Sequence, residues 1–340
     1  MLTAAYVIAA HDIDNQIQMI ECRGPGRIEP SDLPSASTLP ENEDAFNASW
    51  TESLLVRLSP EQIVTLKGNA TVSQANAEAA VPGMSLSGDV IEMTGTQASN
   101  TVRPADQANV DPQKSGMDLS RISPRELVAT GNVKMVQKGV TGHVRQKLKV
   151  NFSETGAAGG QSESIRTAGH TTPIIDAEEQ QGTTEFFCDT ATANIRFTRL
   201  PDRKLSGDWN DVWLIGTVRI DHTGVRKNSD FSAEGNALSA TSGFSGVGDV
   251  SLFGDPAKAR LASRRIEGPR IDLQELLHGE AGVQRSATVQ GSGSILLVVD
   301  QGLDGKTLQK PSVLEIYWTE SMVYSDRTAS FVGNIRAVMT

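Results

Sequence analysis

Apolar and polar residues alternate with a period of two along five segments, each of which contains a glycine. The segments are VTLKGNATV, LVATGNVKM, VWLIGTVRI, VSLFGDPAK and SFVGNIRAV, with Gly68, Gly131, Gly216, Gly254 and Gly333 in the same relative place. Successive side chains of a strand point to opposite faces, so residues two and four positions from the glycine share its face. In four segments these residues, called the inner line here, are apolar, and the residues between them are largely polar. This pattern predicts half-buried antiparallel strands with one apolar and one wet face.

The glycines leave two local alternatives. A Gly-Asn dipeptide can form a tight hairpin turn, but the alternation continues through Gly68-Asn69 and favours a continuous strand. At Gly254 the inner line carries Pro256 and Lys258, which predicts a strand that ends early at an edge or a bulge. Glycines on an inner line are typical of bulges and of close backbone approach, as in a curved sheet with a narrow interior.

A long-period internal repeat links the two ends of the chain. WTES occurs at 50–53 and again at 318–321. RGPGRIE precedes the first copy and QGSGSIL precedes the second, and a strand with Gly68 or Gly333 follows each copy. The spacings agree within a few residues over a repeat of about 268 residues. The repeat favours a stacked or elongated architecture over an enzyme with one cleft.

Composition narrows the class of protein. Apolar residues make up 38% and aromatic residues 5% of the 340 residues, and glycine occurs 31 times, which favours many short strands over long helices. A single short helical turn is expected at Leu273–His278. The net charge of -10 argues against nucleic-acid binding, which requires clustered Lys and Arg.

The sequence gives little information about targeting or about cysteine pairing. No apolar run reaches the roughly 20 residues of a membrane helix, and the first residues lack the pattern of a secretory signal. Because the chain opens directly on a strand-like pair, we expect it to be part of a longer protein. Cys22 and Cys188 are too few for a disulfide framework and belong to no CxxC motif, and a single bridge between them stays open.

Three stretches are rich in turn residues and polar residues: 30–44, 95–116 and 154–173. The last two exceed the length of a compact connection and predict loops outside the sheet. We therefore expect a β lobe at 1–153, a linker or loop at 154–182 and a second β lobe at 183–340. One continuous β stack is the alternative.

The sequence offers no catalytic or metal-binding motif. None of the five histidines lies at metal-ligand spacing from another His or a Cys, and the common nucleotide, hydrolase and metalloprotease motifs are absent. Asp221 and His222 are adjacent on a strand and so point to opposite faces. Trp50 and Trp318 recur at equivalent places, which favours packing over sugar stacking. We expect no enzyme activity, no cofactor and no metal.

Several of these segments together resemble the OstA/Lpt family of lipopolysaccharide-transport proteins, also named for organic solvent tolerance. Thr130–Val133 matches the family's apolar run into Gly-Asn-Val, Gly254–Ala257 matches its Gly-Asp-Pro-Ala element, and Arg265–Leu273 resembles the strand that follows. The resemblance is best over Trp213–Leu273. The chain differs from simple members in its long polar insertions and its repeat.

The resemblance implies an all-β fold: an elongated, folded-over antiparallel sheet, called a β-jellyroll or β-taco, here with long polar loops. Its apolar interior shelters lipid acyl chains, and its members lack enzymatic activity and join end to end through edge strands. It implies a periplasmic or other cell-envelope protein that binds an amphipathic, lipopolysaccharide-like lipid or bridges its transport, with other OstA-like domains as partners.

The sequence also gives candidate residues for such a lipid site. The trough candidates are Leu66, Val72, Leu127, Val133, Met135, Leu214, Val218, Ile220, Phe331 and Ile335. Lys134, Arg219 and Arg336 are candidates for charges at the rim, where they would meet a phosphate head group. Two other functions stay open: a structural β-solenoid or scaffold filled by its own side chains, and a carbohydrate-active jellyroll enzyme with two carboxylates across a groove.

Overall fold

The structure is a computed structural model, and it describes residues 2–11, 17–29, 46–58, 61–74, 84–97, 122–137, 139–154, 182–199, 205–224, 230–242, 248–278, 282–301, 307–325 and 328–340. The described residues form β-strands, bends and turns, with no helix among them. The prediction of an all-β chain built from antiparallel strands is confirmed.

Twenty strands account for most of the described residues. The first seven are β1 (Leu2–His11), β2 (Ile17–Ile28), β3 (Phe46–Trp50), β4 (Ser53–Arg57), β5 (Gln62–Gln74), β6 (Ser85–Gln97) and β7 (Ile122–Thr130). The next seven are β8 (Val133–Gln137), β9 (Val140–Glu154), β10 (Thr183–Arg199), β11 (Leu205–Thr223), β12 (Phe231–Ser242), β13 (Gly248–Leu261) and β14 (Arg264–His278). The last six are β15 (Gly282–Gln290), β16 (Gly293–Gln301), β17 (Thr307–Trp318), β18 (Ser321–Ser325), β19 (Thr328–Val332) and β20 (Arg336–Met339).

The chain divides into two compact units. The first unit comprises residues 1–131 and 149–153, and the second comprises 132–148 and 154–340. The linker expected at 154–182 lies almost wholly outside the described residues, so that prediction stays a prediction. The turn-rich stretches at 30–44 and 154–173 also lie outside them, except Glu154.

Within each unit the strands pair antiparallel with their neighbours along the chain. In the first unit β1 pairs with β2, β2 with β3 and β4, both of these with β5, and β5 with β6. In the second unit the pairing runs through β10, β11, β12, β13 and β14 in order. There β14 pairs with β15 and with β16, β17 pairs with β20, and β18 pairs with β19.

A bend or a bulge interrupts many of these strands near the middle, and we call it the corner. At Gly68 the φ angle is +80°, and the pairing of β5 with β6 shifts between Lys67 and Ala70. Glycine has no Cβ and adopts this left-handed conformation without strain. The strand continues through Gly68-Asn69 with both halves in the sheet, as predicted, whereas at Gly131-Asn132 a bend separates β7 from β8.

Two local predictions need correction. The segment Leu273–His278, expected to form a helical turn, is the end of β14, because it pairs with β13 on one side and β15 on the other. The strand at Gly254 does not end early; β13 continues to Leu261 through a bulge between Phe253 and Ala257. The bulge moves the buried positions from the even residue Leu252 to the odd residue Ala257, so Pro256 falls on the exposed side.

Candidate functional site

The inner line of β5 shows graded burial on both sides of its corner. Leu66 and Ala70, the apolar neighbours of Gly68 on the inner line, are buried with 3% and 0% of their surface exposed. Val64 and Val72, two positions farther out, are only half-buried. The apolar positions are therefore closed next to the corner and partly open four residues from it, whereas Gln62 at the start of the strand is buried again.

The second unit repeats this arrangement on β11, including a buried polar residue, His222, farther out on the same line. Leu214 and Val218 flank Gly216 and are buried, while Val212 and Ile220 are half-buried. The period-two alternation correctly predicts which side of β11 is buried. Thr217 and Arg219, on the other face, are exposed.

The segments next to Gly131 follow the same pattern, each within its own unit. Ala129 on β7 is buried, and Leu127 is half-buried. On β8, Val133 is buried and Met135 is half-buried. Eight trough candidates on β5, β7, β8 and β11 thus lie on the predicted apolar face, with the half-buried ones far from the corner.

Two trough candidates belong to the last strands. Phe331 is half-buried, and its ring lies 5.4 Å from that of Trp318. Ile335 is 54% exposed and lies in the bend between β19 and β20, so its predicted burial is wrong. Among the described strands, β19 pairs with β18 and β20 with β17, and none covers their other side.

The corners have a packing rule that sequence analysis missed: a side chain of one strand fills the space left by the glycine of the next. Gly131 has φ +74°, and a Cβ added there would overlap the Asp89 carboxylate. Gly216 meets Asp189 in the same way. Arg145 places its Nη1 3.1 Å from Asp189 Oδ1, so this carboxylate is also part of an ion pair.

The internal repeat extends to hydrogen bonds. Trp50 donates its indole N–H to the Gly24 carbonyl at 3.0 Å, and Trp318 donates to the Gly291 carbonyl at 3.0 Å. Both indoles are 2% exposed, so the expectation of core packing is confirmed. The backbone repeats too, since the nitrogens of Gly24 and Gly291 donate to the carbonyls of Glu52 and Glu320 at 2.7 Å.

The three candidate rim charges lie on the outer face. Lys134, Arg219 and Arg336 are all exposed, each three residues beyond a corner glycine. Arg219 donates to Asp221 Oδ2 at 2.6 Å. Alternation directs these side chains away from the inner line, so a head-group role for them stays a prediction.

Two cavities among the described residues are open to solvent, and the larger of the two is mainly polar. One, of about 270 Å³, centres on Asp272, which accepts hydrogen bonds from Ser251 Oγ at 2.6 Å, Arg270 Nε at 2.8 Å and Gln290 Nε2 at 3.1 Å. The other, of about 120 Å³, lies across β2, β3 and β5. None of the trough candidates borders either cavity.

The two cysteines and one histidine are buried. Cys22 and Cys188 are both buried free thiols, so the bridge left open by the sequence is not formed. Burial, with a smaller effect from the Asp189 charge, raises the pKa of Cys188 to about 12. His222 is buried at the end of β11, with its Nδ1 2.9 Å from Thr184 Oγ1.

Within the described ranges, no three His, Cys, Asp or Glu side chains are grouped to hold a metal ion. The same ranges contain no helix with the length and apolar character needed to cross a membrane. Comparison of the chain with protein-family models, curated proteins and solved structures found no match.

Proposed function

We propose that this chain is a non-enzymatic cell-envelope protein, in the periplasm or attached to the envelope, that holds an amphipathic, lipopolysaccharide-like lipid in its apolar groove. The half-buried apolar positions of the inner lines carry the proposal. Side chains at the corner, such as Leu66 and Val218, are packed, while Val72, Met135 and Ile220 farther out keep apolar surface exposed. An acyl chain laid along these outer positions would cover that surface.

The energetic driver is transfer of apolar surface out of water. Each methylene group buried in the groove contributes roughly 0.8 kcal/mol, so one acyl chain supplies several kcal/mol before ordering costs. The resemblance to the OstA/Lpt segments supports the same class of ligand. In this proposal other OstA-like domains are partners, which add a strand at a free sheet edge.

Native mass spectrometry of the protein purified from a Gram-negative membrane extract tests the proposal. We expect a bound mass in the range of a lipid or lipopolysaccharide. The Ile220→Lys variant places a charge on the groove side of β11, where burial without a partner costs several kcal/mol, so lipid occupancy should fall at least about tenfold.

Thr217→Lys is the matched control, because Thr217 is exposed on the opposite face of the same strand. Its lipid occupancy should equal that of the unaltered protein. Absence of any bound lipid, or equal loss in both variants, would contradict lipid binding.

A structural scaffold is the second candidate, favoured by the packing at the corners. Val133 and Val218 are each 1% exposed, so the protein's own side chains fill the groove there. A scaffold predicts no bound lipid and a thermal unfolding midpoint that added lipid does not change. A ligand that binds only the folded state would raise this midpoint.

A further inference from the structure

The hairpin that joins β13 to β14 carries a cluster of positive charge. Residues 258–265 read KARLASRR, with four basic residues and no acidic one, in a chain whose net charge is -10. The two strands meet in a turn at residues 262 and 263, where Leu261 lies opposite Arg264. Arg260, Arg264 and Arg265 are exposed. We call residues 260–265 the basic tip.

The charges at the basic tip break a pattern that holds along the strands leading to it. Glu234 lies opposite Lys258, and Lys258 lies opposite Glu267, so opposite charges face each other across three strands. At the tip, Arg260 lies opposite Arg265. Like charges directly opposite each other destabilise a sheet. Such a local conflict is expected where the side chains serve a partner outside the sheet.

Acidic groups of the protein neutralise only part of this charge. Arg265 forms an ion pair with Glu267, with its Nε 3.2 Å from Oε1. Asp230 adds one negative charge beside the turn, where its carbonyl accepts a backbone hydrogen bond. Arg260 donates from Nε to a carbonyl of the turn at 3.0 Å, which holds its guanidinium at the tip. Among the described residues, neither Arg260 nor Arg264 lies in an ion pair.

Exposed apolar side chains lie beside these arginines. Leu261 is 50% exposed, whereas Ala259, two residues earlier on the same face, is buried. Val298 of β16 is 47% exposed and lies two residues beyond Leu296, the partner of Arg265. A soluble anion would contact the cations alone. A lipid bilayer offers phosphate groups together with an apolar layer below them, and so it fits both kinds of side chain.

We infer that the basic tip docks on the surface of an anionic phospholipid bilayer. Arg260, Arg264 and Arg265 meet lipid phosphates, because a guanidinium group donates paired hydrogen bonds to phosphate oxygens. Leu261 and Val298 enter the boundary between head groups and acyl chains. Each cation near an anionic membrane surface adds to binding, and the apolar side chains add a contribution that salt does not screen.

Docking at the tip sets one end of the apolar groove against the bilayer. Leu261 lies opposite Phe231, and Phe231 lies opposite His222 at the end of the inner line of β11. Ile220, a trough candidate, is the next residue inward on that line. The inference rests on the envelope location in the proposed function and does not require a lipid in the groove.

Flotation of the purified protein with vesicles tests the docking. One set of vesicles contains phosphatidylglycerol in phosphatidylcholine, and the other contains phosphatidylcholine alone. The unaltered protein should float with the anionic set only. Arg260→Gln/Arg264→Gln/Arg265→Gln should bind that set about a hundredfold more weakly, since each of the three cations contributes about fivefold.

The matched control is Arg57→Gln/Lys67→Gln/Lys134→Gln. These cations are exposed on β4, β5 and β8, so the variant undergoes the same change in net charge. Its binding to anionic vesicles should change little. All six substituted side chains are exposed, so both variants should keep the circular dichroism spectrum of the unaltered protein.

A fluorescent label at the tip tests insertion into the bilayer. Leu261→Cys is labelled with the environment-sensitive dye NBD, and the natural thiols Cys22 and Cys188 are buried and should stay unlabelled in the folded protein. The dye at position 261 should brighten on anionic vesicles. Ile215→Cys, at an exposed position of β11 on the far side of its corner from the tip, should show no change with the same label.

Three results would overturn the inference: no flotation with anionic vesicles, equal loss in the two triple variants, or an unchanged dye signal at position 261. Loss of flotation in inorganic phosphate, but not in chloride of the same ionic strength, would assign the tip to a soluble anion and overturn the bilayer as its partner. Native mass spectrometry keeps the proposed function separate. A bound lipid mass without flotation overturns the docking alone, and flotation without a bound lipid mass overturns the groove ligand alone.

Discussion

Replacing Gly131 by alanine should destabilise the protein through two separable effects. Gly131 has φ +74°, and an alanine in this left-handed conformation costs about 1–2 kcal/mol. The new methyl group would also overlap the Asp89 carboxylate, and overpacking of this kind costs about 1–3 kcal/mol. The expected loss of unfolding free energy is thus about 2–5 kcal/mol.

Two further variants separate the effects. Gly24→Ala has nearly the same φ, +78°, but its Cβ would meet Ala5 Cβ at 3.0 Å, a much milder contact. We expect a loss of about 1–2 kcal/mol, mainly from the backbone. In Asp89→Gly/Gly131→Ala the overlapping side chain is gone, so this variant should be more stable than Gly131→Ala.

Urea unfolding followed by intrinsic tryptophan fluorescence measures these changes, with each shift in midpoint converted through the slope. Trp50 reports on the first unit, which contains both Asp89 and Gly131. A Gly131→Ala loss no larger than that of Gly24→Ala would refute the reasoning, and so would a failure of Asp89→Gly to restore stability.

Three other predictions follow from single contacts. Trp50→Phe and Trp318→Phe each leave a half-buried glycine carbonyl without its indole donor, so both should lose a similar free energy of unfolding, about 1–2 kcal/mol, in urea unfolding followed by circular dichroism. Clearly unequal losses would contradict the equivalence of the two sites. With its pKa raised to about 12, Cys188 should resist alkylation at about pH 8.5 in the folded protein and react fully in guanidinium, as mass spectrometry would show. The hydrogen bond from Arg23 lowers the pKa of Glu21. The small contribution of this bond to stability is therefore present above the unfolded pKa of Glu21 and is lost as pH falls through the folded pKa. Arg23→Gln should raise the pKa of Glu21 in an NMR titration, and an unchanged value would contradict the assignment.

Much of the fold could be predicted because its main signal is local. A period of two around Gly68 or Gly216 identifies a strand and its buried face without any knowledge of its neighbours. The error at Leu273–His278 has the opposite cause. Its composition suits a helix, but pairing on both sides holds it in the sheet, and such tertiary pairing overrides local propensity.

The candidate site was predictable in part. Alternation places Leu66 and Ile220 on the apolar face, but it cannot say which inner-line positions are closed and which are half-open, because that depends on how the neighbouring strands pack at each position. The role of Asp89 is also invisible in the sequence. It contacts Gly131 through pairing between strands, and no motif joins the two residues.

The corners constrain how this chain can change in length. Gly68 lies within β5 and Gly216 within β11, each with paired residues on both sides of the glycine. A single residue inserted at such a glycine would turn all following side chains of that strand to the opposite face and put polar residues into the groove. Insertions and reporter tags should therefore be tolerated between strands and rejected at the corners, where strand length is part of what specifies the groove.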